Sequence, residues 1–220
     1  MSEVAKHITN LCKKIRHHDR LYYSEAQPEI SDLEYDNLLL ELQRLEADNP
    51  SLITPDSPTQ RVSGESIGTL ASVQHHIPML SIDNTYNTQD LKAWSTRTKK
   101  YLQEAGNNDP VHWVLELKID GVAASLIYES GLLVLGATRG NGVVGDDITH
   151  NVRTIKAIPL RLGLQKPPPQ VEVRGEVFMT NSALVALNES QSSRGLPPFA
   201  NTRNVAAGSI RLLDSRECGT

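Results

Sequence analysis

The run "VAASLIYESGLLVLGAT", residues 122–138, most narrows what this chain can fold into. Two strand-like stretches flank Glu129-Ser130-Gly131, and glycine at so short a turn signals a β-hairpin. A hairpin makes its two strands antiparallel, whereas parallel neighbours need a long crossover. Farther on, "VEVRGEVFMT" sets Val171, Val173 and Gly175 against Glu172, Arg174 and Glu176, a strand with one polar face. "WVLELKID" reads the same way. Trp113, Leu115, Leu117 and Ile119 are expected to face a core, with Glu116, Lys118 and Asp120 together on the other side.

Helices frame these strands. Val4, Ile8, Leu11, Ile15 and Leu21/Tyr22 recur at helical spacing. Ser31 with Glu34 makes a capping box, so a second helix is expected from about residue 32, with Tyr35, Leu38, Leu39, Leu42 and Leu45 along its stripe. "TQDLKAWSTRTKKYLQEAG" predicts a helix capped at Thr88. "DDITHNVRTI" predicts a short helix with acids in its first turn, and "TNSALVALNESQS" one after a Thr/Asn cap. "NTRNVAAGSIRLLD" is small-residue-rich and then helical. Trp94, Trp113 and the leucine stripes are assigned to the core. The order gives an α+β chain: a small helical domain over residues 1–69, then a mixed domain with antiparallel strands over 70–220.

Composition excludes several classes. At 220 residues with 39% hydrophobic and 22% charged side chains, a folded chain is expected rather than a disordered one. No apolar run approaches a membrane span, and "MSEVAKHITN" lacks a signal-peptide core. Cys12 and Cys218 form neither a metal spacing nor a disulfide framework, as expected in a reducing cytoplasm. Residues 1–69 carry 7 Lys/Arg against 12 Asp/Glu, and residues 70–220 carry 15 against 14. Neither half is a basic footprint for nucleic acid, so any grip on DNA needs a few well-placed cations or further domains.

Two constellations carry chemistry. In "RGNGVVGDDI", Gly140, Gly142 and Gly145 match G-x-G-x-x-G, the dinucleotide fingerprint of an oxidoreductase. The strand before it belongs to a hairpin, however, and the acid expected about 20 residues later is missing from "LRLGLQKPPPQ". A glycine-rich turn is the better reading. Lys118 is the second. A lysine acts as a nucleophile only after losing a proton, and two flanking carboxylates favour its charged form. E-x-K-x-D therefore reads as a surface ion-pair cluster unless the acids are engaged elsewhere, on a cation or a nucleoside. Gly121 after Asp120 adds a close backbone approach.

"LELKIDGVA", "ATRGNGVVGDDITHNVRTIKAIPL", "VEVRGEVF" and "ANTRNVAAGSIRLLD" resemble the nucleotidyltransferase core of the bacterial NAD-dependent DNA ligases, an ATP-grasp-like antiparallel fold. "HHDRLYYSEAQPEISDLEYD" and "TPDSPTQRV" resemble their helical nicotinamide-mononucleotide-binding domain. The resemblance implies that Lys118 attacks the α-phosphate of NAD to form lysyl-AMP, with Asp120 acting near the lysine, ribose or metal. It implies adenosine contacts for Glu116, Arg139 and Glu176, and an adenine-pocket segment at Ser81 and Ile82. Tyr22, Tyr23, Asp32, Tyr35 and Asp36 would hold nicotinamide mononucleotide, although Tyr23 stands where relatives have histidine. Asp32, Tyr35 and Asp36 share one helix face, and an aromatic beside two acids suits a cationic ring. The plainer alternative is acids complementing a helix start.

Arg203 and Arg211 would meet phosphates or the DNA 5′-phosphate. The implied cofactors are NAD and Mg²⁺ (or Mn²⁺), with zinc only in a downstream module. The implied partner is nicked duplex DNA, bound by a cytoplasmic monomer. The adenylation domain is expected to be incomplete at Thr220, so the fragment should self-adenylate poorly. A non-catalytic, ligase-derived binding module is the remaining alternative.

Overall fold

The computed structural model describes residues 2–23, 25, 27–61 and 68–218, with the side chains of Tyr23 and Asp32 outside that description. Two helices open the chain, α1 (Glu3–Tyr23) and α2 (Asp32–Asp48). The expected capping box is present: Ser31 accepts from the Glu34 backbone amide while the Glu34 carboxylate reaches back to the Ser31 amide. Ile8, Leu11, Cys12 and Ile15 of α1 pack against Leu42, with Tyr35, Leu38, Leu39 and Leu45 around them. The spacing that predicted both helices is thus the spacing that buries them.

The loop after α2 stitches the helices to the rest of the chain. Asp56, buried, takes Arg16 at 2.8 Å from α1 and Arg161 at 2.6 Å from beyond the hairpin. Arg61 donates to the backbone oxygens of Arg153, Ile155 and Ile158 at 3.2, 3.3 and 3.1 Å. Arg153 returns the link to the Pro55 and Gln60 oxygens.

Among the described residues five strands follow: β1 (Ser72–Gln74), β2 (Val122–Glu129), β3 (Leu132–Thr138), β4 (Val144–Asp146) and β5 (Gln170–Val177). They form one antiparallel sheet in the order β3-β2-β5 and a small antiparallel pair, β1 with β4. Ser130 and Gly131 both take positive φ, 47° and 84°, as a two-residue hairpin turn requires. Tyr128, Leu133, Ile148, Val152, Leu160 and Ile210 make the sheet's core. The remaining helices are α3 (Thr88–Glu104), α4 (Thr149–Val152), α5 (Asn181–Ser193), α6 (Thr202–Ser209) and α7 (Ser215–Cys218). The fold is α+β, and its antiparallel pairing leaves no place for a dehydrogenase sheet.

Four expectations need correction. Residues 111–120 form no strand, and Leu115 and Leu117 are 99% and 90% exposed. The alternation was real, but β2 already has β3 and β5 on its two sides and no described strand pairs with this stretch. Trp94 and Trp113 are not core; they stack on each other at 4.9 Å in a half-exposed pair, and α3 buries no residue. The cap of α3 is Asn87, whose side chain accepts from the Asp90 amide, rather than Thr88. In α4 the acids precede the helix: Asp147 accepts from both the amide and the hydroxyl of Thr149.

Candidate functional site

One end of the three-stranded sheet gathers most of the expected nucleotide residues. Antiparallel pairing sets Ala123 of β2 opposite Glu176 of β5, and the Arg139 amide donates to the Ala123 oxygen just past β3. The start of β2, the end of β3 and the end of β5 therefore meet. Lys118 lies four residues before β2 and is delivered to the same end by Gly121. A Cβ at Gly121 would sit 2.3 Å from the Val177 oxygen and 2.9 Å from Glu176 Cγ. Only glycine lets the lysine segment cross β5 this closely.

The acids around Lys118 divide their partners. Asp120 pairs with Arg203 of α6 at 3.1 Å, not with the lysine. Glu116 and Lys118 are exposed on the unpaired segment. Arg139 reaches the Ser81 hydroxyl at 3.4 Å, which brings the 81–82 segment to this sheet end, with Ile82 exposed beside it. Arg211 pairs with Asp146 of β4 at 3.1 Å. Both arginine pairs are exposed and weak enough to exchange for a phosphate.

Arg174, not singled out in the sequence, fastens the preceding segment to the sheet. It donates to the Pro78 and Ile77 oxygens and pairs with Glu172 at 2.7 Å. The Arg174 hydrogen bond holds the Glu172 carboxyl below its ordinary range against a desolvation that would raise it.

The glycine pattern has a packing cause. Gly140 and Gly142 take φ of 54° and 93°. A Cβ at Gly142 would lie 2.7 Å from the Met79 oxygen, and one at Gly145 would lie 1.8 Å from the Thr138 oxygen. The Met79 amide donates to the Gly142 oxygen at 2.8 Å, so this turn is a bed for the backbone of residues 75–79. It is a glycine-rich turn, as the hairpin implied.

A second site lies at the junction of α1 and α2. Tyr22, Tyr35 and Asp36 line a cavity of about 240 Å³ with His18, Glu29, Ser31 and Lys156. The Tyr35 hydroxyl donates to buried Asp19 at 2.6 Å, and Asp19 meets Arg61 at 3.3 Å. Lys156 brings its ammonium to 5.4 Å from the centre of the Tyr35 ring, a cation over an aromatic face. The expectation for Tyr23 and Asp32 concerns side chains outside the described residues.

His18, Glu29, Lys156, Asp19 and Arg61 were missed. Glu29 sits in "QPEISD" and Lys156 in "RTIKAIPL", with no spacing that links either to Tyr35. The link comes from folding the 153–158 stretch onto Arg61.

Residues 67–219 match the family described as NAD-dependent DNA ligase adenylation domain. The chain belongs to that family. Residues 1–63 match the DNA ligase-like, N-terminal NAD+-binding domain. A DNA ligase of Rhodopirellula baltica is 50% identical over 223 residues, which cover 97% of this chain and 31% of the relative. The chain thus spans about a third of that ligase's length. Among the described residues no helix is long and apolar enough to cross a membrane.

Proposed function

We propose that this chain carries the nucleotide-activating step of an NAD-dependent DNA ligase. The Lys118 amine attacks the α-phosphorus of NAD. A nitrogen–phosphorus bond forms, the bond to the bridging oxygen breaks, and nicotinamide mononucleotide leaves with that oxygen while the amine gives up its proton. The observation that carries this reading is the glycine crossing at Gly121, which brings the lysine segment against Glu176. Arg139 and Ser81 close the same sheet end.

Asp120 is held by Arg203 rather than by the lysine. Glu116 and Glu176 are the acids for adenosine, and Ile82 offers an apolar edge to the base. Tyr22, Tyr35 and Asp36, with Tyr23 and Asp32 from the same helices, receive the nicotinamide ring: an aromatic face and negative charge suit a cation. The carboxylate of Asp120 is a hard oxygen donor of the kind that suits Mg²⁺. Bound there, the ion would screen the phosphates from this acid.

Arg203 and Arg211 would trade Asp120 and Asp146 for phosphates, those of nicked duplex DNA among them. The reading places the protein in the cytoplasm. Intact-mass spectrometry after incubation with NAD and Mg²⁺ tests the assignment. AMP addition, even if slow, is expected on the native chain and not on Lys118→Ala. Label retained by Lys118→Ala would move the nucleophile elsewhere.

A further inference from the structure

The C-terminal half of α1, with Glu29 beyond its end, carries a cluster that the ligase reading does not use. One ring nitrogen from each of His17 and His18 and one carboxylate oxygen of Glu29 lie within 4.8 Å of one another. The two rings are consecutive on the helix, with centroids 5.2 Å apart and planes inclined by 63°, an edge-on arrangement. His17 Nε2 lies 3.2 Å from the Glu29 carboxylate. Among the described residues, His18 Nδ1 is buried with no hydrogen-bond partner. A buried ring nitrogen left without a partner calls for an explanation.

Two imidazoles and a carboxylate are the donors of a three-ligand zinc centre with one open position. Imidazole suits zinc, copper and nickel, whereas Mg²⁺ prefers oxygen alone. Tetrahedral bonds of about 2.1 Å need donors about 3.4 Å apart, so rotation of the exposed His17 and Glu29 side chains would close the set. The ion would replace the His17–Glu29 contact. Glu29 and His18 also line the cavity with Tyr22, Tyr35 and Asp36, while His17 stands outside it.

We propose that His17, His18 and Glu29 form a transition-metal site, for zinc by preference, whose occupation closes the nicotinamide pocket. A bound dication takes the Glu29 carboxylate and places positive charge where a cationic ring would enter. The closure, but not the metal site, rests on the proposed nicotinamide reading of the cavity.

The test is calorimetric titration of zinc chloride into the chain at near-neutral pH in a non-coordinating buffer, with magnesium chloride as control. A single zinc is expected to bind, and magnesium is not. His17→Ala should weaken zinc at least about tenfold, the least that even an outer-shell loss gives. Nicotinamide mononucleotide is then titrated with and without zinc. Zinc should weaken it several-fold in the native chain and leave His17→Ala unaffected.

A zinc isotherm indifferent to His17→Ala would place the ion elsewhere, for instance on a cysteine, and overturn the site. Mononucleotide binding that ignores zinc would overturn the closure. If zinc responds to His17→Ala but the mononucleotide binds neither protein, the metal site stands and the pocket reading falls.

Discussion

The α1–α2 cavity and the lysine end of the sheet are built by opposite means. The cavity is walled by side chains held from behind: Tyr35 by Asp19, Asp19 by Arg61, and Arg61 by three backbone oxygens from the 153–158 stretch. The lysine end is placed by backbone, through Gly121 against β5 and Arg139 beside Ala123, while Lys118 stands on an exposed, unpaired segment. A pocket for a bulky charged ring needs fixed walls. A nucleophile needs a fixed point of departure and room for the phosphate to arrive. Changes behind the cavity should therefore act through charge and burial, and changes at the lysine end through sterics.

The largest effect should come from Asp19→Ala. It deprives the Arg61 guanidinium, whose side chain is 11% exposed, of the Asp19 carboxylate, leaving it on backbone oxygens, and removes the acceptor of the Tyr35 hydroxyl. Breaking one side of a buried pair costs about 3–5 kcal/mol. Urea unfolding should show a loss of that order, with nicotinamide mononucleotide binding weakened as well. If stability falls but mononucleotide binding holds, the back wall does not position Tyr35.

Gly121→Ala comes next, and it probes the other region. Its Cβ would meet backbone at 2.3 Å, so the crossing must shift, at a cost of about 1–3 kcal/mol. AMP transfer to Lys118 should fall while mononucleotide binding stays. Equal losses in both assays would mean that the two regions are not separately built.

A smaller, pH-dependent effect belongs to the stitching loop. Burial raises the Asp56 carboxyl, but hydrogen bonds from Arg161 and Thr54 and the Arg16 charge outweigh it and hold it below the ordinary 3.8. A group lowered in the fold stabilises above its unfolded value, and the contribution is lost as pH falls through the folded one. Thermal unfolding should thus show the native chain losing stability below about pH 4, with Asp56→Asn flatter across that window. A parallel loss in the variant would assign the acid sensitivity to other carboxylates.

How much of this was legible in the sequence follows the same division. Helix caps, the apolar stripes and the hairpin turn are local, so Ser31, Leu42 and Gly131 announced themselves. Lys118 and Glu176 were singled out through motif resemblance and Gly121 by its place after Asp120, whereas the crossing of Gly121 against Glu176 depends on the β2–β5 pairing, which the sequence did not reveal. The back wall was not legible, because Arg61 meets the oxygens of residues 92 to 97 positions away. No periodicity records such contacts. The strand expected at 113–120 failed for a related reason. Alternation tells which side chains share a face, but not whether a partner strand exists to receive the backbone.

That failure yields the smallest predicted effect. If Leu115 at 99% exposure packs against nothing, Leu115→Lys should change unfolding stability by no more than about 0.5 kcal/mol, the usual range for surface changes. It should leave mononucleotide binding untouched. A loss of about 2 kcal/mol or more, the cost of a vacated core leucine, would show that the segment is buried in solution. The lysine end would then be walled as the cavity is, and the contrast between backbone placement and side-chain walls would dissolve. A null result on stability with a change in AMP transfer would instead tie the exposed apolar edge to the approach of NAD at Lys118.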